Sequence, residues 1–233
     1  MLTISGLTKT YNKVKAIDDA NLVAPSGEIS VLLGPNGAGK STMMKCIIGV
    51  LKYDGDIRIC GFPNKSKEAR TRLGYVPEVP ALYDLLSPWE HLEFMAKAYK
   101  IDDWEADAEA WLRRFFLWEH KDKAGKELSK GMRQKVSICC ALLIKPEVIL
   151  FDEPMIGLDP AAIRELKEVF VELRNQGVTV FISTHIIDSI DEIWDTAHIM
   201  HKGSIEREVK RTDSSVPLED QFFEVTGTEG SEG

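Results

Sequence analysis

Apolar positions in the first third of the chain come in short runs separated by turn residues. Leu2–Ile4, Ala20–Val23 and Ile29–Leu33 have strand length, with Pro25-Ser26-Gly27 as the turn between the last two. After a glycine-rich stretch the period lengthens. Met43, Met44, Ile47 and Ile48 fall at helical spacing within Thr42–Val50. Asp56–Cys60 and Leu73–Val76 read as two further strands. From Pro88 to about Ile144 the pattern turns helical and predicts helices over His91–Tyr99, Trp104–Trp118 and Ser129–Ile144. In the second, Ala108, Trp111, Leu112 and Phe115 make one apolar face that reads as core. Strands then alternate with helices again. Val148–Phe151 and Thr179–Ser183 read as strands, Ala161–Asn175 and Ile187–Trp194 as helices. This order argues for an α/β fold with a mainly parallel, helix-covered sheet and an all-helical insert. The Gly, Thr, Ser and Glu tail from Gly227 to Gly233 predicts no ordered element.

Composition narrows the class. With 44% hydrophobic residues in 233, one large domain can bury a core. The net charge of −8 argues against a general nucleic-acid or membrane-surface binder. Cys46, Cys60, Cys139 and Cys140 form no CxxC pair, so they read as ordinary thiols in a reducing compartment. The N-terminus lacks the basic start and apolar stretch of a secretory signal. The longest apolar run, around Val136–Ile144, falls well short of the roughly 20 residues that cross a bilayer. The expectation is a chain soluble by itself, with any membrane role carried by a partner.

One stretch carries chemistry by itself, and a second, which alone would read as a solvated strand end, gains a functional reading beside it. Gly34-Pro35-Asn36-Gly37-Ala38-Gly39-Lys40-Ser41-Thr42 follows a strand and opens a helix, the context of a phosphate-binding loop. Its glycines let successive backbone N–H groups point at phosphate oxygens, and the helix adds its positive dipole end. Lys40 would reach the β- and γ-phosphates, Ser41 would bind Mg²⁺, and Thr42 would add a hydroxyl. Val148–Pro154 is an apolar strand ending in Asp152-Glu153, where a P-loop fold places its magnesium acid. Asp152 is the candidate magnesium residue and Glu153 the candidate general base.

A third stretch, Leu128-Ser129-Lys130-Gly131-Met132-Arg133-Gln134, lies just ahead of the helical pattern and upstream of the Asp-Glu-Pro strand. Here the chain resembles the ABC (ATP-binding cassette) ATPase family, whose signature is LSGGQ. Ser129 can cap the helix, and Lys130 sits unfavourably at its positive end. An anion docked there would remove that cost. In the family this anion is the phosphate of an ATP held by the opposite subunit, contacted here by Ser129 and Gly131.

The resemblance covers residues 1–210 and implies further roles. Tyr11 matches the aromatic that stacks on adenine. Glu78 stands where the family usually carries a Gln that contacts Mg²⁺ and the attacking water. Asp159, in Gly157-Leu158-Asp159-Pro160, matches the loop that meets the partner subunit. His185, in Ser183-Thr184-His185, matches the histidine that contacts the γ-phosphate. His198 and His201 have ligand-like spacing but read as a strand end and a turn. Lys130, Met132, Glu78 and Ile156-Gly157 depart from the usual motifs in ways frequent in the type-2 export subgroup. The short Leu218–Phe223 helix also fits an exporter subgroup.

The fold implied is a RecA-like P-loop NTPase core with an N-terminal antiparallel β subdomain. Its single domain spans 1–211 with a helical insert at about 84–144, followed by a short helix and acidic tail over 212–233. The function implied is ATP hydrolysis, with ATP and Mg²⁺, by a peripheral subunit on the cytoplasmic face of the cell membrane. Its partners would be an integral membrane permease and a second ATP-binding chain, with no nucleic acid. The permease is expected to dock at Tyr83–Trp89, where Leu85 and Leu86 read as exposed. The alternatives are a soluble ABC-type ATPase acting on ribosomes or DNA, and an unrelated P-loop kinase or GTPase.

Overall fold

The computed structural model describes residues 1–212 and 216–227. The chain opens with β1 (Leu2–Tyr11), β2 (Val14–Ala24) and β3 (Ile29–Leu33), then α1 (Lys40–Ile47), β4 (Asp54–Ile59), β5 (Phe62–Pro63), α2 (Lys67–Arg70) and β6 (Leu73–Val76). Helices α3 (Pro88–Tyr99), α4 (Glu105–Arg114) and α5 (Lys130–Leu143) form the helical insert. The chain then returns through β7 (Val148–Asp152), α6 (Pro160–Asn175), β8 (Thr179–Thr184), β9 (Thr196–His201), β10 (Ser204–Lys210) and α7 (Leu218–Thr226).

Two sheets result. The antiparallel one has the order β2-β1-β4-β5. The larger has the order β10-β9-β3-β8-β7-β6, parallel except for the antiparallel edge strand β10. Its central strands β3, β7 and β8 are buried along their whole length, which is why they read as unbroken apolar runs. Alternate residues feed two cores. Val31, Leu33, Ile149, Phe151 and Ile182 face the insert and α6. Leu32, Leu150 and Phe181 face α1 and the antiparallel sheet. All three strands therefore end at one edge with their last residues fixed from both sides.

The insert is built from strong local signals. Ser87 caps α3 in a reciprocal capping box with Glu90, and Pro88 occupies the first helical turn. Ser129 caps α5, its hydroxyl accepting from the Met132 N–H at 3.2 Å.

Several sequence expectations shift. The helix expected over Trp104–Trp118 stops at Arg114, because Phe116 turns the chain with a left-handed backbone (φ 59°). A 3₁₀ turn over Trp118–His120 follows. The helix expected over Ile187–Trp194 is only a 3₁₀ turn at Ile187–Ser189 followed by further turns. Ile190, Ile193 and Trp194 are buried there, so helix-like spacing arises from an irregular segment pinned to the core. His198 is in the middle of β9 and His201 is its last residue, rather than a strand end and a turn. The short α2 and the edge strands β5 and β10 had no counterpart in the sequence pattern. The Leu218–Phe223 helix is present and runs to Thr226. Of the tail expected to lack structure, residues 228–233 lie outside the described residues.

Candidate active site

The loop between β3 and α1 wraps the start of that helix. Gly39 caps α1 with a backbone φ of 113°, and a Cβ there would stand 2.6 Å from the Ala16 carbonyl, so only glycine fits. The chain then enters the helix at Lys40, whose Nζ donates to the carbonyls of Gly34 (2.6 Å) and Pro35 (3.3 Å). The same Nζ lies 3.6 Å from Glu153 Oε1, and both side chains are buried. Burial lowers the Lys40 pKa, while the neighbouring Glu153 carboxylate works against that shift.

Glu153 follows the last residue of β7 and takes a left-handed backbone (φ 47°). Such a conformation in a non-glycine residue costs on the order of 1–3 kcal/mol and persists only where its surroundings enforce it. Here the Glu153 N–H donates to the Ser183 carbonyl at 3.0 Å. The turn aims the carboxylate at His185, whose Nδ1 lies 2.8 Å from Glu153 Oε1. His185 follows the end of β8, the parallel neighbour of β7.

Asp152 ends β7 one residue earlier and points toward α1. Its Oδ1 accepts from Ser41 Oγ (3.3 Å) and from Ser183 Oγ. Burial raises the Asp152 pKa, and these two hydroxyls and Lys40 pull the other way. An all-oxygen pair such as Ser41 and Asp152 suits a hard divalent cation. Among the described residues no group of three or more His, Cys, Asp or Glu could hold a metal alone. Mg²⁺ in nucleotide sites is held by one or two protein oxygens, with water and phosphate oxygens completing its shell. The residues present fit that group.

Gly39, Lys40, Ser41, Glu153 and His185 line a cleft of about 350 Å³, together with Asn36, Gly37, Thr42, Glu78, Ile156 and Ala16, whereas Asp152 and Ser183 are buried and reach it only through the Ser41 hydroxyl. Ala38 packs into the core beneath the loop. Glu78 comes from the segment after β6 and is exposed at the cleft. The remaining expected site residues are elsewhere. Tyr11 lies outside the lining, exposed at the end of β1, with the Lys9 ammonium 4.8 Å from its ring centre. Ser129 and Gly131 sit at the start of α5 and do not line the cleft either. A Cβ on Gly131 would stand 2.5 Å from the Gly157 carbonyl, so this stretch packs against the Gly157–Asp159 turn of its own chain. Asp159 caps α6 and pairs with Lys135 of α5 at 2.6 Å, which holds its carboxyl below the usual range.

Ser183 and Ala16 were not singled out from the sequence. Ser183 is the polar residue that follows the apolar run Val180–Ile182 in β8, a signal that could have found it. Ala16 carries no such signal, since only the folding of β2 against the loop brings it there.

A strand-loop-helix cradle with a buried lysine, a hydroxyl–carboxylate pair and a carboxylate–histidine pair can bind a nucleoside triphosphate and activate water at its terminal phosphate. Comparisons with known proteins agree. A family model described as ABC transporter matches residues 17–156. The chain is 37% identical to the uncharacterized ABC transporter ATP-binding protein YhaQ of Bacillus subtilis, over 87% of this chain and 69% of that one. It is 33% identical to the lantibiotic transport ATP-binding protein SrtF of Streptococcus pyogenes, over 95% and 96% of the two chains. Among solved structures, an ATP-binding subunit of an ABC transporter superposes with a TM-score of 0.91 at 33% identity, covering 97% of this chain and 99% of that one. A dimeric ATP-binding cassette in a post-hydrolysis state with ADP and Pi gives 0.80 at 28% identity, covering 90% and 98%. The loop at Gly34–Thr42, the carboxylates that close it and these likenesses lead to one assignment: the chain belongs to the ABC transporter family, as an ATP-binding subunit with the family's ATPase fold.

Proposed function

We propose that the chain hydrolyses ATP with Mg²⁺ and couples this to transport by a separate integral membrane permease, at the cytoplasmic face of the cell membrane. One observation carries the catalytic part: Glu153 Oε1 is held by both His185 and Lys40, at 2.8 and 3.6 Å, at the mouth of the phosphate loop. With Oε1 engaged, Oε2 takes the proton of the attacking water as its oxygen bonds to the γ-phosphorus. The bond to the bridging oxygen then breaks, leaving ADP and phosphate. Lys40 and the loop N–H groups bind the triphosphate oxygens, and Thr42 adds its hydroxyl. Ser41 and Asp152, with Glu78 beside them, would hold Mg²⁺, which supplies charge neutralisation on the phosphates when bound. Tyr11 takes the adenine.

The cleft is half a site. Ser129 and Gly131 stand outside it at a helix N-terminus, where N–H groups favour an anion. In the proposed assembly they cover the ATP of a second chain, and two chains close head to tail over two ATP molecules. A two-fold interface of this kind is self-complementary. The cassette spans 1–211, with its insert at about 84–144 serving the permease. The exposed Tyr83 and Leu85 favour docking there, whereas Leu86 is half-buried. No helix among the described residues is long and apolar enough to cross a membrane, in keeping with a peripheral subunit. Relatives named for lantibiotic and bacitracin transport support a transporter over a ribosome- or DNA-directed ATPase. Export is favoured by the subgroup resemblance.

The test is purification of the tagged chain from detergent-solubilised membranes, with ATPase assay of the product. An integral membrane protein in stoichiometric amount is expected. Recovery with ribosomes or DNA alone would overturn the transporter reading. In the same assay Ser129→Arg should lose turnover while the monomer still binds ATP.

A further inference from the structure

The segment Pro77–Leu86 joins two places that matter. At one end, next to Pro77, Glu78 lines the nucleotide cleft. At the other, Tyr83 and Leu85 stand exposed at 58% and 80%, beside Phe94 of α3. Two consecutive residues of α5 grip this segment. Gln134 Nε2 donates to the Pro77 carbonyl at 3.3 Å. The Arg133 guanidinium donates to the Leu82 carbonyl (3.4 Å), to Asp84 Oδ1 (3.3 Å) and to the Gly125 carbonyl (3.0 Å). The Gly125 N–H in turn donates to the Leu86 carbonyl, and the Lys126 N–H to the Asp84 carbonyl. On the opposite side His91 pins the loop through both ring nitrogens. Its Nε2 accepts from the Tyr83 N–H and its Nδ1 meets the Ser87 carbonyl. Arg133 also lies one helical turn after Ser129, to whose carbonyl its own N–H donates.

We infer that Arg133 is a positioning residue that transmits the state of the nucleotide site to the Tyr83–Leu86 loop. Three acceptors on two separate segments converge on one planar fork of donors, so a shift of α5 moves the loop as a body. Gln134 carries the same shift to the cleft end of the segment. A lysine has the charge but not the fork and satisfies fewer of these acceptors at once. The consequence for transport rests on the reading that this loop meets the permease. The mechanical link does not, and its test needs no permease.

The experiment is hydrogen–deuterium exchange of the full chain with Glu153→Gln, with and without ATP and Mg²⁺. ATP is expected to slow amide exchange in residues 36–42 and also in residues 82–86, the latter by about threefold or more. With Arg133→Met added, residues 36–42 should respond as before and residues 82–86 should not. Arg133→Lys should restore part of the loop response, which loss of packing alone would not predict. Should Arg133→Met lose its fold by circular dichroism, Asp84→Asn replaces it and should weaken the loop response with the cleft response intact. A loop that responds equally without the arginine fork, or one that ignores ATP in the parent chain, would overturn the inference. Failure of permease binding at Leu85 would overturn only the docking reading.

Discussion

His185 Nδ1 lies 2.8 Å from Oε1 of Glu153, although the two residues are 32 positions apart. Adjacent parallel strands deliver them: β7 ends just before the glutamate and β8 just before the histidine. The pair fixes the carboxylate in advance, so the proposed deprotonation of water there would need little reorganisation.

Removing the proposed base while keeping its shape tests this arrangement. Glu153→Gln should bind ATP normally and lose turnover by about 10²- to 10⁴-fold, the usual contribution of a positioned acid or base. Phosphate release beside equilibrium nucleotide binding measures both. Turnover at the parental rate would remove Glu153 from its role.

Lys40 is held by two loop carbonyls and Glu153. Lys40→Ala should weaken phosphate stabilisation by about 2.7–4 kcal/mol, the worth of a comparable donor. Titration with a fluorescent ATP analogue and single-turnover hydrolysis divide this loss between binding and chemistry. Unchanged values in both would contradict the phosphate role.

Gly131→Ala places a Cβ 2.5 Å from the Gly157 carbonyl. Overpacking of this kind costs about 1–3 kcal/mol and should displace the turn before Asp159. ATP binding to the monomer should survive, while ATP-driven dimerisation in the Glu153→Gln background should fail. Sedimentation velocity with and without ATP reads the difference.

Leu85 is 80% exposed, so Leu85→Asp should change stability by less than about 0.5 kcal/mol. The apolar loop it belongs to would nonetheless gain a charge. Recovery of the integral membrane protein with the tagged chain should fall sharply, with ATPase of the isolated chain retained. Full recovery would place the docking surface elsewhere.

His198 supplies a pH dependence. It is fully buried in β9, burial lowers its pKa to about 4, and Glu208 lies 3.6 Å from Nδ1, too far for a hydrogen bond. The unfolded chain therefore binds a proton near pH 6.5 that the folded chain takes up only near pH 4. Stability falls as pH drops through this window, by ~2 kcal/mol between pH 7 and pH 5 from this residue. His198→Val should remove that part of the acid sensitivity. Urea unfolding at the two pH values checks it, and equal losses in parent and variant would refute it.

The elements that carry the proposed chemistry were largely legible in the sequence, because each is a run of contiguous residues. Ile29–Leu33 ahead of Gly34–Thr42 and Val148–Phe151 ahead of Asp152-Glu153 each place a functional end on a buried strand, and both strands form as read. A local signal also sufficed for the cap at Ser129, whereas the cap Asp159 makes on α6 was not read from the sequence. Where burial imitates periodicity, local reading failed: Ile187–Trp194 has helical spacing but packs as turns. Three relationships were settled only by the tertiary structure. These are the closure of His185 and Lys40 on one oxygen of Glu153, Ser183 beside Asp152, and the grip of Arg133 on Leu82 and Asp84. Each joins residues distant in sequence through strand order or helix packing, and no local pattern encodes such neighbours.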